Sequence, residues 1–286
     1  MVKFMIIGPL SKDRIIKKDK VYEAVGGPVY YQSAVFSEFG IDNTVITTLA
    51  YEDEELLDLF PESAKIIPVY EERTMEFENI YSDDNPNHRI QKSKTPKNPI
   101  NPSYFDRIDF NSFNALLISP LSPYDIPLKT LIFLSKFGKP IYLGVQGYLR
   151  HINGVKISLK PCINFKDFLK QVNYLFLDEL EARVVLDDIN GDCGEIARSL
   201  TFFGPEEVII TRGDRGALIY SKKTADIYDI PAIHPKKLVD PTGLGDTFMA
   251  AYALKKQDID DPLECGRFAA KISSLKMERK GAFRFK

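Results

Sequence analysis

Short apolar runs of strand length recur along this chain of 286 residues, separated by stretches long enough for helices. Val2 to Ile7, Thr44 to Leu49, Ala115 to Ser119, Ile141 to Val145, Tyr174 to Leu177 and Glu207 to Thr211 each read as a strand. Between residues 115 and 177 three of these runs alternate with helical stretches, the rhythm of βαβ units and a parallel sheet. In open sheets of this kind the loops beyond the carboxyl ends of the strands carry the ligand contacts. Gly8 to Asp13, which follows the first run, is such a loop.

The stretch Asp240 to Lys256 carries the most chemistry. Asp240-Pro241-Thr242 has the composition of a turn, and Gly243 and Gly245 bracket Leu244. Asp246 then opens a run in which Phe248, Ala251, Tyr252 and Leu254 recur at helical spacing. Pro241 fixes one backbone angle and the glycines accept positive φ, so the chain can bend sharply before the helix. A turn of this kind leaves backbone N–H groups converging on one spot, with about half a positive charge behind them, which suits a phosphate. The Asp246 carboxylate beside that spot makes sense if it takes a proton from a hydroxyl attacking phosphorus. The same residues also describe an ordinary helix start with Asp in its first turn.

Asp240-Pro-Thr-Gly-Leu-Gly-Asp246 resembles the C-terminal signature of the ribokinase-like (carbohydrate kinase) family, usually Asp-x-Thr-Gly-Ala-Gly-Asp. The resemblance implies that Asp246 is the catalytic base and that the backbone of Gly243, Leu244 and Gly245 forms an anion hole for the moving phosphoryl group. Leu244 in place of Ala leaves those donors intact. The implied fold is α/β, a three-layer, doubly wound, mostly parallel sheet with a small β-sheet lid. A single kinase domain would then cover residues 1–286, its lid formed from about 13–26 and 66–95. The implied cofactors are ATP and Mg²⁺.

Other segments agree in order. Asp13 takes the place of an Asp that binds substrate hydroxyls, and a carboxylate accepting from two neighbouring hydroxyls is a sensible polyol anchor. Gly26-Gly27, ahead of a helix from Val29 to Phe39, resembles the element that opens the substrate pocket. The family usually ends it in Asn where this chain has Tyr31; Tyr30 and Tyr31 either present rings to substrate or belong to the core. Tyr51-Glu-Asp-Glu-Glu reads as a solvated helix start. Val69 to Tyr81 and Arg89 to Gln91, split by the polar Ser82 to Asn87, read as a hairpin suited to the lid. Gln146 to Arg150 resembles a subgroup that phosphorylates myo-inositol, with Arg150 either contacting substrate or phosphate or capping a helix.

Asp178-Glu-Leu-Glu181 stands where relatives carry Asn-x-x-Glu, which implies a Mg²⁺ role for Glu181 and Asp178; an acidic helix start is the plain reading. Thr211-x-Gly213-x-x-Gly216 matches the family's nucleotide loop, and Ala269 to Ser273 by analogy help line an adenine pocket. The expected activity is ATP-dependent phosphorylation of a sugar or polyol hydroxyl, myo-inositol first. A nucleoside kinase and a non-catalytic ligand sensor are the alternatives.

Composition narrows the rest. A net charge of −2 argues against non-specific attraction to nucleic acid or membrane, and no apolar run approaches the length of a membrane span. Three dispersed cysteines and three isolated histidines give no disulfide framework or zinc spacing. A cytoplasmic location is expected, with a homodimer through the lid as the one protein partnership the resemblance suggests. Neither a Walker phosphate loop nor a dinucleotide fingerprint occurs, which leaves Gly243 to Asp246 as the phosphate device.

Overall fold

The computed structural model describes residues 2–17, 20–81, 89–154, 156–187 and 191–285. In chain order the first half holds β1 (Lys3–Ile7), β2 (Ser11–Lys17), β3 (Lys20–Gly26), α1 (Pro28–Glu38), β4 (Asp42–Ala50), β5 (Ala64–Glu71), β6 (Met75–Tyr81), β7 (Arg89–Lys94), β8 (Ala115–Ile118) and α2 (Leu128–Ser135). The second half holds β9 (Ile141–Gly144), α3 (Gln146–Leu149), β10 (Arg150–Asn153), β11 (Lys156–Leu159), α4 (Phe165–Leu169), β12 (Tyr174–Asp178), α5 (Glu179–Val185) and α6 (Cys193–Thr201). It closes with β13 (Glu207–Thr211), β14 (Ala217–Ser221), β15 (Asp226–Ile230), α7 (Leu244–Lys255) and α8 (Pro262–Met277). Among the described residues no helix is long and apolar enough to cross a membrane.

Nine strands form the main sheet in the order β15-β14-β13-β12-β9-β8-β1-β4-β5. From β5 to β13 every neighbour is parallel, and β14 and β15 add an antiparallel edge. Alternation along each strand feeds two cores. Met5 and Ile7, Leu116 and Ile118, and Val208 and Ile210 face Leu131, Leu169 and Leu200 of α2, α4 and α6. Phe4 and Ile6, Leu117 and Ile209 face Phe36, Met249 and Ala269 of α1, α7 and α8. Each large apolar side chain removed from water contributes about 1.5–3 kcal/mol, so the two faces together define a layered α/β body. Thr247 to Ala253 of α7 are buried all round because the helix is wedged between the sheet, α1 and α8.

A second, six-stranded sheet runs β10-β11-β7-β6-β2-β3. Register places Ala24, Asp13, Phe77 and Ser93 side by side on one face, and Asp13, Phe77 and Ser93 are buried. The opposite face carries ion pairs, Arg14–Glu78–Lys92 and Lys12–Glu76–Lys94. Two sequence expectations change here. Residues 66–71, expected in the small sheet, lie in β5, whose partner is β4 of the main sheet. The small sheet starts at Met75 on that side and gains β10 and β11, which were not expected. The hairpin of β6 and β7 is present, while its Ser82 to Asn87 loop lies outside the described residues.

Candidate active site

Gly243, at φ +73°, caps α7 from the left-handed region. A Cβ there would overlap the ring of Tyr31, so only glycine lets the turn close over that side chain. The first helical bond runs from Thr247 N–H to Gly243 O at 2.9 Å, and the Thr247 hydroxyl donates to the same carbonyl at 2.8 Å. The N–H groups of Leu244, Gly245 and Asp246 precede that bond and so form the positive end of the helix. A Cβ at Gly245 would meet open space, whereas Gly243 is filled from behind. The result is a cradle open on the Gly245 side, with half-buried Asp246 in the first turn.

Tyr31, 3% exposed, links this cradle to the small sheet. Burial, then the charges of Asp240, Asp13 and Asp246, push its phenol well above the ordinary range, so all three carboxylates act electrostatically on one phenol. The ring packs beneath the cradle, directly behind Gly243. Asp13 accepts from the Ser11 hydroxyl at 2.8 Å. Gly26 lies opposite Ser11, where a Cβ would stand 2.5 Å from the Asp13 carboxylate; Gly27, at φ +100°, would bring one to 2.6 Å from Pro9 O. The Gly26-Gly27 pair thus makes room for the chain's own atoms and so positions Asp13.

Asp178 and Glu181 close a reciprocal capping box on α5. Glu181 N–H donates to Asp178 Oδ1 at 2.8 Å, and Asp178 N–H donates to Glu181 Oε2 at 2.9 Å. Burial, then the Asp178 charge, push the Glu181 carboxyl up to about 8, opposed by its backbone hydrogen bond and the Arg150 guanidinium; Asp246 adds to the rise. Two hard oxygen groups whose joint ionisation is disfavoured fit a site for a hard dication that would relieve them. Arg150 is 4% exposed, donates to Leu121 O at 3.2 Å and stands over the Phe77 ring at 4.9 Å, which ties the small sheet to the main body.

Thr211 ends β13 beside Asp178, so the loop that follows opens next to the capping box. Gly213 (φ +60°) and Gly216 (φ +83°) make the bend; a Cβ at Gly216 would collide with Ile230 O, while one at Gly213 would meet open space. Arg212 is held by Asp229 and by the carbonyls of Arg215 and Ala217, and Arg215 pairs with Glu179 of α5. Ser273 of α8, expected near an adenine, donates to Leu244 O at 3.4 Å.

Asp13 and Asp246 both act electrostatically on Tyr31, and Asp178 and Asp246 on Glu181. Sequence reasoning missed two further groups. Asp53, expected on a solvated helix start, is buried in a 3₁₀ run and accepts from Lys12 Nζ at 2.9 Å and from Thr74. Lys276 lies behind the cradle; its signal was a charge four residues after Ile272 on an otherwise apolar helix face. Cavity volume is a poor guide to the site. A 400 Å³ cavity lies among α4, α5 and α6, and a 610 Å³ cleft follows the small sheet and residues 53–59, reaching Asp13 but not Asp246.

Residues 148–284 match the pfkB family carbohydrate kinase. A nucleoside kinase of Methanocaldococcus jannaschii is 27% identical over 118 residues, 40% of this chain and 36% of that protein. Matches to that enzyme, to a nucleoside kinase of Methanothermobacter thermautotrophicus and to a cytidine kinase of Thermococcus kodakarensis span about a third of their lengths (36%, 30% and 30%). Among solved structures, a pyrophosphate-dependent kinase in the ribokinase family, complexed with a pyrophosphate analogue and myo-inositol, superposes with TM-score 0.84 at 23% identity, covering 98% of this chain and 97% of that one. Arabidopsis thaliana ribokinase with ribose and ATP gives TM-score 0.75 at 17% identity, covering 99% and 95%. The fold is that of ribokinase.

Proposed function

We propose, from the match of residues 148–284 to the pfkB family carbohydrate kinase, that this chain moves a phosphoryl group onto a hydroxyl of a small polyol, with myo-inositol the first acceptor. The observation that carries the reading is the placement of Asp246 in the first turn of α7, beside an amide cradle open at Gly245 and backed by the Tyr31 ring. Asp13 holds acceptor hydroxyls. Asp246 takes the proton from the attacking hydroxyl, and the amides of Leu244, Gly245 and Asp246 offset the charge that spreads over the transferring group. Asp178 and Glu181 would hold Mg²⁺, which when bound neutralises donor phosphate charge.

ATP is the donor first expected. Pyrophosphate stands beside it because the myo-inositol-bound neighbour is pyrophosphate-dependent. For the acceptor, the partial match to nucleoside kinases favours a nucleoside as the second reading. Burial of Tyr31 weakens it, since that ring cannot stack on a base. The test is a matrix of acceptors (myo-inositol, ribose, fructose, 2-keto-3-deoxygluconate, adenosine, cytidine) against ATP and pyrophosphate with Mg²⁺. Donor consumption that depends on myo-inositol supports the reading. Consumption confined to nucleosides replaces the acceptor, and none with any pair leaves a ligand-binding protein that does not transfer phosphate.

A further inference from the structure

Lys276 has no exposed surface, and the other buried residues of α8 include Cys265, Ala269, Ala270 and Ile272. Burying an ammonium group is costly unless it is paired and hydrogen-bonded, so its partners indicate its use. Its Nζ donates to Asp240 O at 2.9 Å, stands 3.4 Å from Asp240 Oδ2 and lies 5.4 Å from the centre of the Tyr31 ring. The Asp240 carboxylate also accepts from Thr242 N–H and Gly281 N–H, both at 3.0 Å. The N–H groups of Val239 and Asp240 both donate to Met277 O, one residue beyond the lysine. Four contacts thus bolt the turn that precedes Gly243 to the end of α8, and a fifth ties it to Gly281 just beyond.

We propose that Lys276 is the fixed counter-charge of the cradle: a positioning residue that cancels the charge of Asp240 and pins residues 240–243, so that an arriving phosphate meets amide dipoles without an uncompensated carboxylate behind them. Without the lysine, Asp240 would set a negative charge against the anion, in surroundings that screen it poorly. The ammonium also senses the charge of Asp246, which places it within electrostatic reach of the reacting end of the turn. The purpose of this device rests on the phosphotransfer reading, but its test does not need turnover.

The test is calorimetric titration of the full chain with inorganic pyrophosphate, for the wild type, Lys276→Met, Asp240→Asn and the double variant. Lys276→Met is expected to weaken binding at least tenfold. Asp240→Asn is expected to weaken binding no more than about threefold, and the double variant to return within about threefold of wild type, whereas a purely structural ion pair would make the two single variants equally weak. A folded Lys276→Met that binds within twofold of wild type overturns the proposal. So does an Asp240→Asn variant weakened as much as Lys276→Met. If Lys276→Met fails to fold, the double variant decides alone, and a tenfold loss there overturns the proposal. A wild-type chain that ignores pyrophosphate removes the cradle and this role together. One that binds it yet phosphorylates no acceptor removes only the kinase reading.

Discussion

The cradle and the small sheet meet at Tyr31 and Asp13 but are secured in opposite ways. Around the cradle, Thr247 and Lys276 have no exposed surface and Tyr31 almost none, so the turn is backed by packed core while Pro241 and Gly245 stay exposed. The small sheet meets the body through the cluster of Met75, Phe77, Leu121 and Ile157, through Arg150 on Leu121 O and through Lys12 on Asp53, and turns an ion-paired face outward. Under the proposed phosphoryl transfer, the difference separates two jobs. Groups that handle phosphate charge must not reorganise during the reaction and are built into the core. Groups that select an acceptor sit on a thin sheet whose side chains can be exchanged at little cost to the body.

If that separation holds, Asp246→Asn lowers kcat at least ~10²-fold while donor affinity stays near wild type, read from steady-state kinetics and calorimetry. Within the cradle the two glycines part company. Gly243→Ala costs about 2–4 kcal/mol in urea unfolding, since alanine must occupy φ +73° inside the Tyr31 ring. Gly245→Ala stabilises by about 0.5–1 kcal/mol, because alanine suits a helix, yet lowers activity by setting a methyl group in the cradle. Equal effects of the two on stability would mean that the clamp does not depend on Tyr31.

Glu181 gives a pH signature. Its folded carboxyl lies at about 8 against an ordinary 4.5, so its contribution to stability is present below about pH 4.5 and is lost as pH rises towards 8. Glu181→Gln should remove that slope, and melting temperatures from pH 4.5 to 8.5 for both proteins check it. A variant with the wild-type slope would assign the titration to another group. On the small sheet, Asp13→Asn is expected to raise acceptor KM about tenfold with little change in kcat. Smallest of all, Lys94→Ala removes an exposed pair with Glu76 and should cost less than about 1 kcal/mol, with unchanged kinetics. A large kinetic effect there would show that the outer face communicates with the site.

The same division governs what the sequence can reveal. The cradle is local: a turn, two glycines and a carboxylate within seven residues, followed by helical spacing, so its shape is legible without any partner. Asp178-x-x-Glu181 is equally local, and its pattern is that of a capping box as well as of a metal ligand pair. The parallel body shows in the apolar runs, because strands buried on both faces lose their alternation. What stays hidden is pairing between distant segments. The composition of β5 does not say that its neighbour is β4, and four-residue strands such as β10 and β11 are too short to show a period. Nothing near Gly243 announces that Tyr31 will fill the space behind it, or that Gly26 exists to clear Asp13.

The most direct measurement is phosphorus NMR of the reaction mixture, wild type beside Asp246→Asn, with each donor and with myo-inositol and the other acceptors. The predicted result is a phosphomonoester signal that appears only when a hydroxyl acceptor is present and is absent from the Asn variant on the same timescale. A wild-type spectrum showing only free phosphate with every acceptor, or an Asn variant that forms the ester as fast as wild type, would contradict the assignment of Asp246 and its amide cradle to phosphoryl transfer.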